Sequence, residues 1–163
     1  MPKSLVHTPT VRDVLKLLSW AGGSLAVLLT FQFHGHFSIN GSDSLPEKIF
    51  YVSNFKPHFP LKVGELVTFK HPSIPVTLLK RVAGIPGERV THGNGITYVE
   101  GRPIGKTLAQ TKNGKSLHPG FTGKIPEGFL FVSGTHARSF DSRYKEMGLI
   151  PEEAILGKAW ALL

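Results

Sequence analysis

The feature that most restricts the fold of this chain is an apolar segment near its start. Residues 17–33 read LLSWAGGSLAVLLTFQF and contain no charged residue. A helix of this length spans roughly 25 Å, slightly less than the ~30 Å hydrocarbon core of a bilayer. Val14 and Leu15 lengthen it if the Lys16 ammonium reaches the lipid interface. The segment predicts a transmembrane helix over residues 14–36.

Two other interpretations of this segment are a cleaved signal peptide and a buried helix of a soluble protein. A signal peptide has a shorter apolar region and ends in an A-x-A-like site, which the following HGHFSIN does not provide. Lys3, Arg12 and Lys16 precede the segment, so the positive-inside rule places the N-terminus in the cytoplasm. We therefore expect a short cytoplasmic tail at 1–13, a single-pass anchor in the inner membrane, and a periplasmic domain at 37–163.

The charged and metal-binding residue types narrow the function. The net charge is +8, spread along the chain, which suits an anionic membrane surface. The sequence has no basic-aromatic motif of a nucleic-acid module, so no nucleic-acid partner is expected. There is no cysteine, which excludes a thiolate nucleophile and disulfides. Only His34 and His36 are close together among the eight histidines, and no metal or organic cofactor is implied.

Beyond the apolar segment the chain has the pattern of a β protein. Short β-branched and aromatic runs lie between Gly and Pro residues, and no stretch has ten or more residues at helical period. Glu100-Gly101 predicts a hairpin turn, and 102–127 is expected to be a long loop or a small excursion from the sheet. The fold class is therefore mainly β. The predicted strands are 49–52, 66–69, 76–82, 96–99, 128–133 and 156–162.

Lys80 is an unexpected residue in the strand predicted at 76–82. It shares a face with Val76, Leu78 and Val82, which should be buried. One interpretation is an edge strand whose lysine extends to solvent. The other is a desolvated lysine with a lowered pKa, whose neutral amine can take a proton from a serine hydroxyl.

The stretch 39–46, INGSDSLP, directly follows the apolar segment and allows two interpretations as well. Ser42 and Ser44 can be turn residues beside Asn40, Gly41 and Asp43. Alternatively, one of the serines is a nucleophile held close to the membrane. In the same way, Asp141 and Arg143 can form an exposed loop ion pair, worth about 0–1 kcal/mol, or belong to a site.

Three segments, in order, resemble the conserved boxes of the type I signal peptidase family. INGSDSLP resembles the nucleophile box N-x-[ST]-x-S-M-P, and LLKRVAGIPGERV (78–90) resembles the lysine box K-R-[VI]-x-G-x-P-G-[DE]-x-[VI]. SGTHARSFDSRYKEMGLIP (133–151) resembles a third box built around S-x-D-S-R-x-x-G. The short length, single anchor and HARSFDSRY wording are most similar to the TraF-type branch, the conjugative-transfer signal peptidases. The implied fold is an antiparallel β-sheet catalytic domain after one transmembrane helix.

The resemblance implies a role for each matching residue. Ser44 would be the nucleophile and Lys80 the general base, a Ser-Lys dyad. The oxyanion hole would consist of the Ser44 amide and the Ser42 hydroxyl. Ser139 would orient the lysine amine. The remaining supporting residues would be Asp141, Arg143 and Arg81, and a second cation beside Lys80 would also lower its pKa.

Some positions depart from the family pattern. Leu45 replaces the usual methionine and, with Ile49, is a candidate for lining substrate pockets or contacting lipid. Lys48 stands where the family commonly has glycine and brings a second lysine near Ser44 in sequence. His136-Ala137-Arg138 replace acidic residues of the third box, which argues against a housekeeping role more than against the chemistry.

The resemblance implies a membrane-anchored serine endopeptidase that cleaves exported precursors and matures, or cyclises, a conjugative pilin. Its partners would be the preprotein or pilin precursor, inner-membrane lipid and proteins of the conjugation machinery. One alternative is a membrane-anchored assembly factor without catalysis, which would not need Ser44 and Lys80 together. The other is a LexA-like self-cleaving protein, which should have a DNA-binding head where residues 17–33 stand.

Overall fold

The computed structural model describes residues 10–41, 44–58, 60–111 and 113–163, with positions 31 and 32 described by their backbone only. The chain divides after His34 into a helical unit and a β unit. The helix, α1, covers Val11–His34. Its Val11–Thr30 part has a mean hydropathy of 1.3 and is long and apolar enough to cross a membrane. Thr10 and Asp13 cap its start, since the Asp13 carboxylate accepts from the Thr10 backbone amide at 3.0 Å.

The β unit contains the strands that the alternation of the sequence predicts, and several more. They are β1 Gly35–Ile39, β2 Ile49–Ser53, β3 Leu66–His71, β4 Ile74–Gly84, β5 Arg89–Gly93, β6 Ile96–Val99, β7 Arg102–Lys106, β8 Gly123–Lys124, β9 Phe129–Ser133, β10 Ile150–Pro151 and β11 Ile155–Ala161. A short 3₁₀ helix, Glu152–Ala154, precedes β11. Every pairing between these strands is antiparallel, so the predicted mainly β fold is confirmed.

The strands form a large sheet and a small one. The large sheet has the order β1-β2-β11-β3-β4-β9-β10 and the small sheet the order β7-β6-β5-β8. The core of the large sheet contains fully buried side chains such as Phe69, Val82 and Leu130. Each such apolar side chain stabilises the fold by about 1.5–3 kcal/mol relative to an exposed one. The last strand, β11, pairs with both β2 and β3, so residues far apart in sequence are neighbours in this sheet.

The small sheet contains the predicted hairpin. Glu100 and Gly101 have φ angles of 48° and 72°, as a tight turn between β6 and β7 requires. The segment 102–127 contributes β7 and β8 to this sheet. Between these strands the chain makes isolated bridges from Gln110 to Ser116 and from Pro119 to Tyr144. The segment therefore has regular structure at both ends and tied loops between them.

Within the described residues, two strands of the large sheet each have an edge that pairs with no further strand. β1 is the outermost strand of the sheet. Among the described residues, the first part of β4, 74–79, pairs with β3 only, because the pairing of β4 with β9 starts at Arg81. The candidate site lies where these two edges approach each other.

Candidate active site

The turn that carries Ser44 is tied to two neighbouring loops. The Ser44 carbonyl accepts hydrogen bonds from the Thr135 and His136 backbone amides at 2.8 and 3.4 Å. The Asn40 side-chain amide donates to the carbonyls of Leu45 and Glu47 at 3.1 and 3.2 Å. These bonds hold the Ser44 backbone in place while its side chain remains half-buried.

Leu45 anchors the same turn to the hydrophobic core. Its side chain is 1% exposed and packs with Phe50, Val52 and Leu66. The expectation that Leu45 lines a substrate pocket or touches lipid is therefore wrong, because the side chain points into the core. Ser42, the second predicted oxyanion-hole residue, lies outside the described residues.

Lys80 lies inside the large sheet, on β4. Its side chain is 4% exposed, and its Nζ lies 2.8 Å from Ser44 Oγ and 3.0 Å from Ser139 Oγ. The alternative of a lysine that extends to solvent does not fit, because the side chain is buried and its amine contacts two serine hydroxyls. Burial lowers the pKa of Lys80 most, the Asp141 charge raises it, and the Arg143 charge lowers it again. The net effect favours a neutral amine.

Ser139, Asp141 and Arg143 form a buried brace beside Lys80. Arg143 donates to both Asp141 carboxylate oxygens, from Nε at 2.8 Å and from Nη2 at 2.9 Å. Arg143 Nη2 also donates to the Ser139 carbonyl at 3.0 Å, and the Gly134 amide donates to Asp141 Oδ2 at 2.9 Å. Burial by itself would lower the pKa of Arg143, but the hydrogen bond and charge of Asp141 outweigh it, so that pKa is raised. The pair is 1% and 0% exposed, so it is not the solvated ion pair of the alternative interpretation.

Arg81 lies on the other side of the strand from Lys80. Its guanidinium contacts Glu47 Oε1 and the Gly64 carbonyl, each at 2.9 Å. The cation that lowers the pKa of Lys80 is therefore Arg143, and the expectation that Arg81 contributes to this shift is wrong. Strand alternation explains the difference, since consecutive residues point to opposite faces. Arg81 instead braces the Ser44 turn through Glu47, three residues after the serine.

Gly134 is a further site residue that the sequence interpretation did not identify. A Cβ at this position would overlap Ser139 Oγ and lie 2.5 Å from the Ser44 carbonyl oxygen. Only glycine lets the loop after β9 approach both serines this closely. The SGT triplet does not reveal this, because the contact with Ser44 joins residues 90 positions apart in the chain.

Two cavities meet at Ser44, and Phe140 lines both. The first, which we call the strand-edge groove, lies between β1 and residues 74–79 of β4 and has a volume of about 600 Å³. Its lining includes Ile39, Ile74, Val76, Leu78 and Lys80. Val76, predicted to be buried, is 59% exposed because its side chain faces this groove. The second, the loop cavity, has a volume of about 310 Å³; its lining includes Leu108, Leu117, His136, Arg138 and Tyr144.

Comparison with protein families gives a match over nearly the whole chain. A family model described as signal peptidase, peptidase S26, matches residues 11–163, nearly the whole chain. The chain belongs to this family. The predicted membership of the signal peptidase family is thereby confirmed, and the family is one of serine-type peptidases.

The relatives of this chain include conjugal transfer proteins and signal peptidases I. The conjugal transfer protein TraF of Agrobacterium fabrum is 28% identical over 170 residues, covering 91% of this chain and 94% of the relative. Signal peptidase I of Bacillus amyloliquefaciens is 29% identical over 147 residues, covering 82% of this chain and 76% of the relative. A solved signal peptidase I from Enterococcus faecalis V583 matches with a TM-score of 0.41 at 21% identity, covering 64% of this chain and 98% of that chain.

Proposed function

We propose that this protein is a membrane-anchored serine endopeptidase in which Ser44 is the nucleophile and Lys80 the general base. The observation that carries the proposal is the position of the Lys80 amine. It is buried, its pKa is lowered, and it lies within hydrogen-bond distance of both Ser44 Oγ and Ser139 Oγ. A neutral amine in contact with a serine hydroxyl is the arrangement that activates a serine without histidine.

The proposed reaction proceeds through an acyl-enzyme. The neutral Lys80 amine takes the Ser44 hydroxyl proton as Oγ attacks the scissile carbonyl carbon. The resulting ammonium gives that proton to the leaving amine nitrogen as the peptide C–N bond breaks. An incoming water then loses a proton to Lys80, attacks the acyl carbon, and releases the new carboxyl end while Ser44 regains its proton. Ser139 keeps the amine aimed at Oγ, and the Asp141–Arg143 pair fixes the loop that carries Ser139.

Charge on the tetrahedral oxygen needs hydrogen-bond donors. The Ser44 amide and the Ser42 hydroxyl remain the proposed oxyanion hole. Each donor of this kind typically contributes on the order of 10²–10³ to the rate.

The strand-edge groove is the proposed binding place for the acyl part of the substrate. It lies between β1, the outermost strand of the large sheet, and the part of β4 that pairs only with β3 among the described residues, so an extended chain can add to the sheet there. Apolar side chains such as Val76 and Leu78 line the groove, which suits small apolar side chains at alternate substrate positions. Only an extended, unfolded segment fits this arrangement, as expected for the cleavage region of an exported precursor.

The membrane location is proposed from α1. The Val11–Thr30 segment passes the length and hydropathy requirement for a membrane span. With Arg12 and Lys16 at its start, the positive-inside rule supports a cytoplasmic N-terminus and a periplasmic catalytic domain. Such a site would meet precursors as they emerge from the inner membrane.

The relatives named conjugal transfer protein TraF support a role in conjugation. The proposed substrate in this role is a pilin precursor, as the resemblance to the conjugative-transfer signal peptidases implies. In this role the acyl-enzyme is resolved either by water or by the amino terminus of the pilin itself, which gives a cyclic product. The two products differ by the mass of one water.

The test is cleavage of a co-expressed candidate pilin precursor, scored by mass spectrometry. Wild type should process it, whereas Ser44→Ala and Lys80→Met should not. Lys48→Met is the matched control, because it makes the same change at an exposed lysine close to Ser44 in sequence, and it should process normally. If both Ser44→Ala and Lys80→Met process the precursor as well as wild type, the protein is not this peptidase, and a non-catalytic assembly role would explain the fold.

A further inference from the structure

The loop cavity is lined by basic side chains. Its only ionisable side chains other than Tyr144 are His136 and Arg138, and no Asp or Glu is among the described residues that line it. The described lining of the cavity is therefore basic.

Arg138 is available to bind a ligand. It is exposed at the rim of the cavity, and its guanidinium forms no ion pair within the part of the chain that the structure describes. The Arg138 backbone amide donates to His136 Nδ1 at 3.1 Å, which ties the two residues together. Since Nδ1 accepts, the neutral imidazole has its proton on Nε2 and is a hydrogen-bond donor there. Both side chains thus offer donors to an anionic group.

The walls of the loop cavity are held by specific contacts. The Leu108 amide donates to the Tyr144 hydroxyl at 3.2 Å, and the Leu117 amide donates to the Ala109 carbonyl at 2.8 Å. Phe140 and Tyr144 stack with ring centroids 6.0 Å apart and planes 13° from parallel. The cavity therefore has an apolar interior and a basic rim.

The two cavities share Ser44, so a substrate whose scissile carbonyl reaches this serine passes from one cavity into the other. The strand-edge groove suits the acyl part because strand edges line it, whereas loops line the other cavity. We propose that the loop cavity binds the chain that follows the scissile bond, and that Arg138 selects substrates with an acidic side chain there. This inference rests on the proposed function and adds the specificity of its leaving side.

The test uses the full-length enzyme in detergent and peptides that are identical up to the scissile bond. After the bond, each of the first three positions is Glu, Gln or Lys in turn. For wild type, the ratio of kcat/KM for the Glu peptide to kcat/KM for the Lys peptide should be about three or more at one of these positions, as expected for a partly exposed ion pair. Arg138→Glu should invert this ratio at the same position. High salt should bring the ratio closer to one in both proteins.

Arg89→Glu is the matched control, since Arg89 is exposed on β5 and does not line the cavity. It changes the net charge equally and should keep the wild-type ratio. The inference is overturned if wild type cleaves the peptides without preference for Glu, or if the preference persists in Arg138→Glu. It is also overturned if Arg89→Glu changes the ratio as much as Arg138→Glu. If wild type cleaves none of the peptides, and not the precursor either, the proposed function itself fails.

Discussion

Replacing Gly134 by alanine should nearly abolish catalysis while leaving the fold intact. Gly134 packs against Ser139 and against the Ser44 carbonyl. The added Cβ would lie 2.5 Å from that carbonyl oxygen, 2.8 Å from Ser139 Cβ, and in overlap with Ser139 Oγ. Two residues that set the geometry around the Lys80 amine would therefore be displaced at once.

The size of the displacement gives the size of the effect. Ordinary contacts with a Cβ begin at 3.4 Å, so the Ser44 carbonyl must retreat by about 0.9 Å. A misplacement of about 1 Å in a catalytic group can cost about 10² in rate. Overpacking of this kind also lowers the free energy of unfolding by about 1–3 kcal/mol. We therefore expect kcat to fall about a hundredfold and the melting temperature to fall modestly.

The assay is peptide cleavage by the purified full-length protein, with thermal unfolding measured on the same sample. Gly93→Ala is the matched control, because a Cβ there meets no atom within 4 Å. It should leave kcat close to that of wild type. A folded Gly134→Ala protein with kcat within threefold of wild type would refute the argument that this close approach fixes the two serines.

Three further outcomes follow from the site. Activity should fall as pH decreases, because protonation of Lys80 removes the base. Since burial lowers the pKa of Lys80, this fall in activity should occur below the ordinary lysine range. Arg81→Gln should not shift the pH at which it occurs. Lys80→Met should raise the melting temperature at neutral pH. The lowered pKa means that the folded state binds the lysine proton less readily than the unfolded state, so the buried lysine destabilises the wild-type protein at neutral pH. This destabilisation decreases as pH rises. Asp141→Asn should cost about 3–5 kcal/mol in denaturant unfolding by leaving a buried guanidinium without its partner, whereas Glu88→Gln, which weakens an exposed pair, should cost about 1 kcal/mol or less.

The local pattern of the sequence predicts most of the strands. Alternating apolar residues and Gly or Pro boundaries were sufficient for β2, β3, β4, β6, β9 and β11. They were not sufficient for β1, Gly35–Ile39, because it directly follows the apolar helix and has no boundary of its own. Nor do they predict that β11 pairs between β2 and β3, since strand order depends on contacts between residues about a hundred positions apart.

The candidate site, like the fold, is predictable from the sequence only where the local pattern determines it. Strand alternation alone marked Lys80 as a lysine on a buried face, and the structure places it 4% exposed beside Ser44 and Ser139. Alternation also implies that Arg81 points away from Lys80, but its partner Glu47 lies 34 residues earlier and is not visible in the pattern. The open groove explains why Val76 is exposed although its pattern is that of a core residue.

The most direct test of the central claim is the rate at which Ser44 is acylated by an activated ester, followed against pH. Mass spectrometry of the digested protein identifies the modified residue. If neutral Lys80 activates Ser44, acylation occurs at Ser44, its rate rises with pH through a single limb below the ordinary lysine range, and Lys80→Met is not acylated. Acylation at another residue, or an unchanged rate in Lys80→Met, would contradict the account.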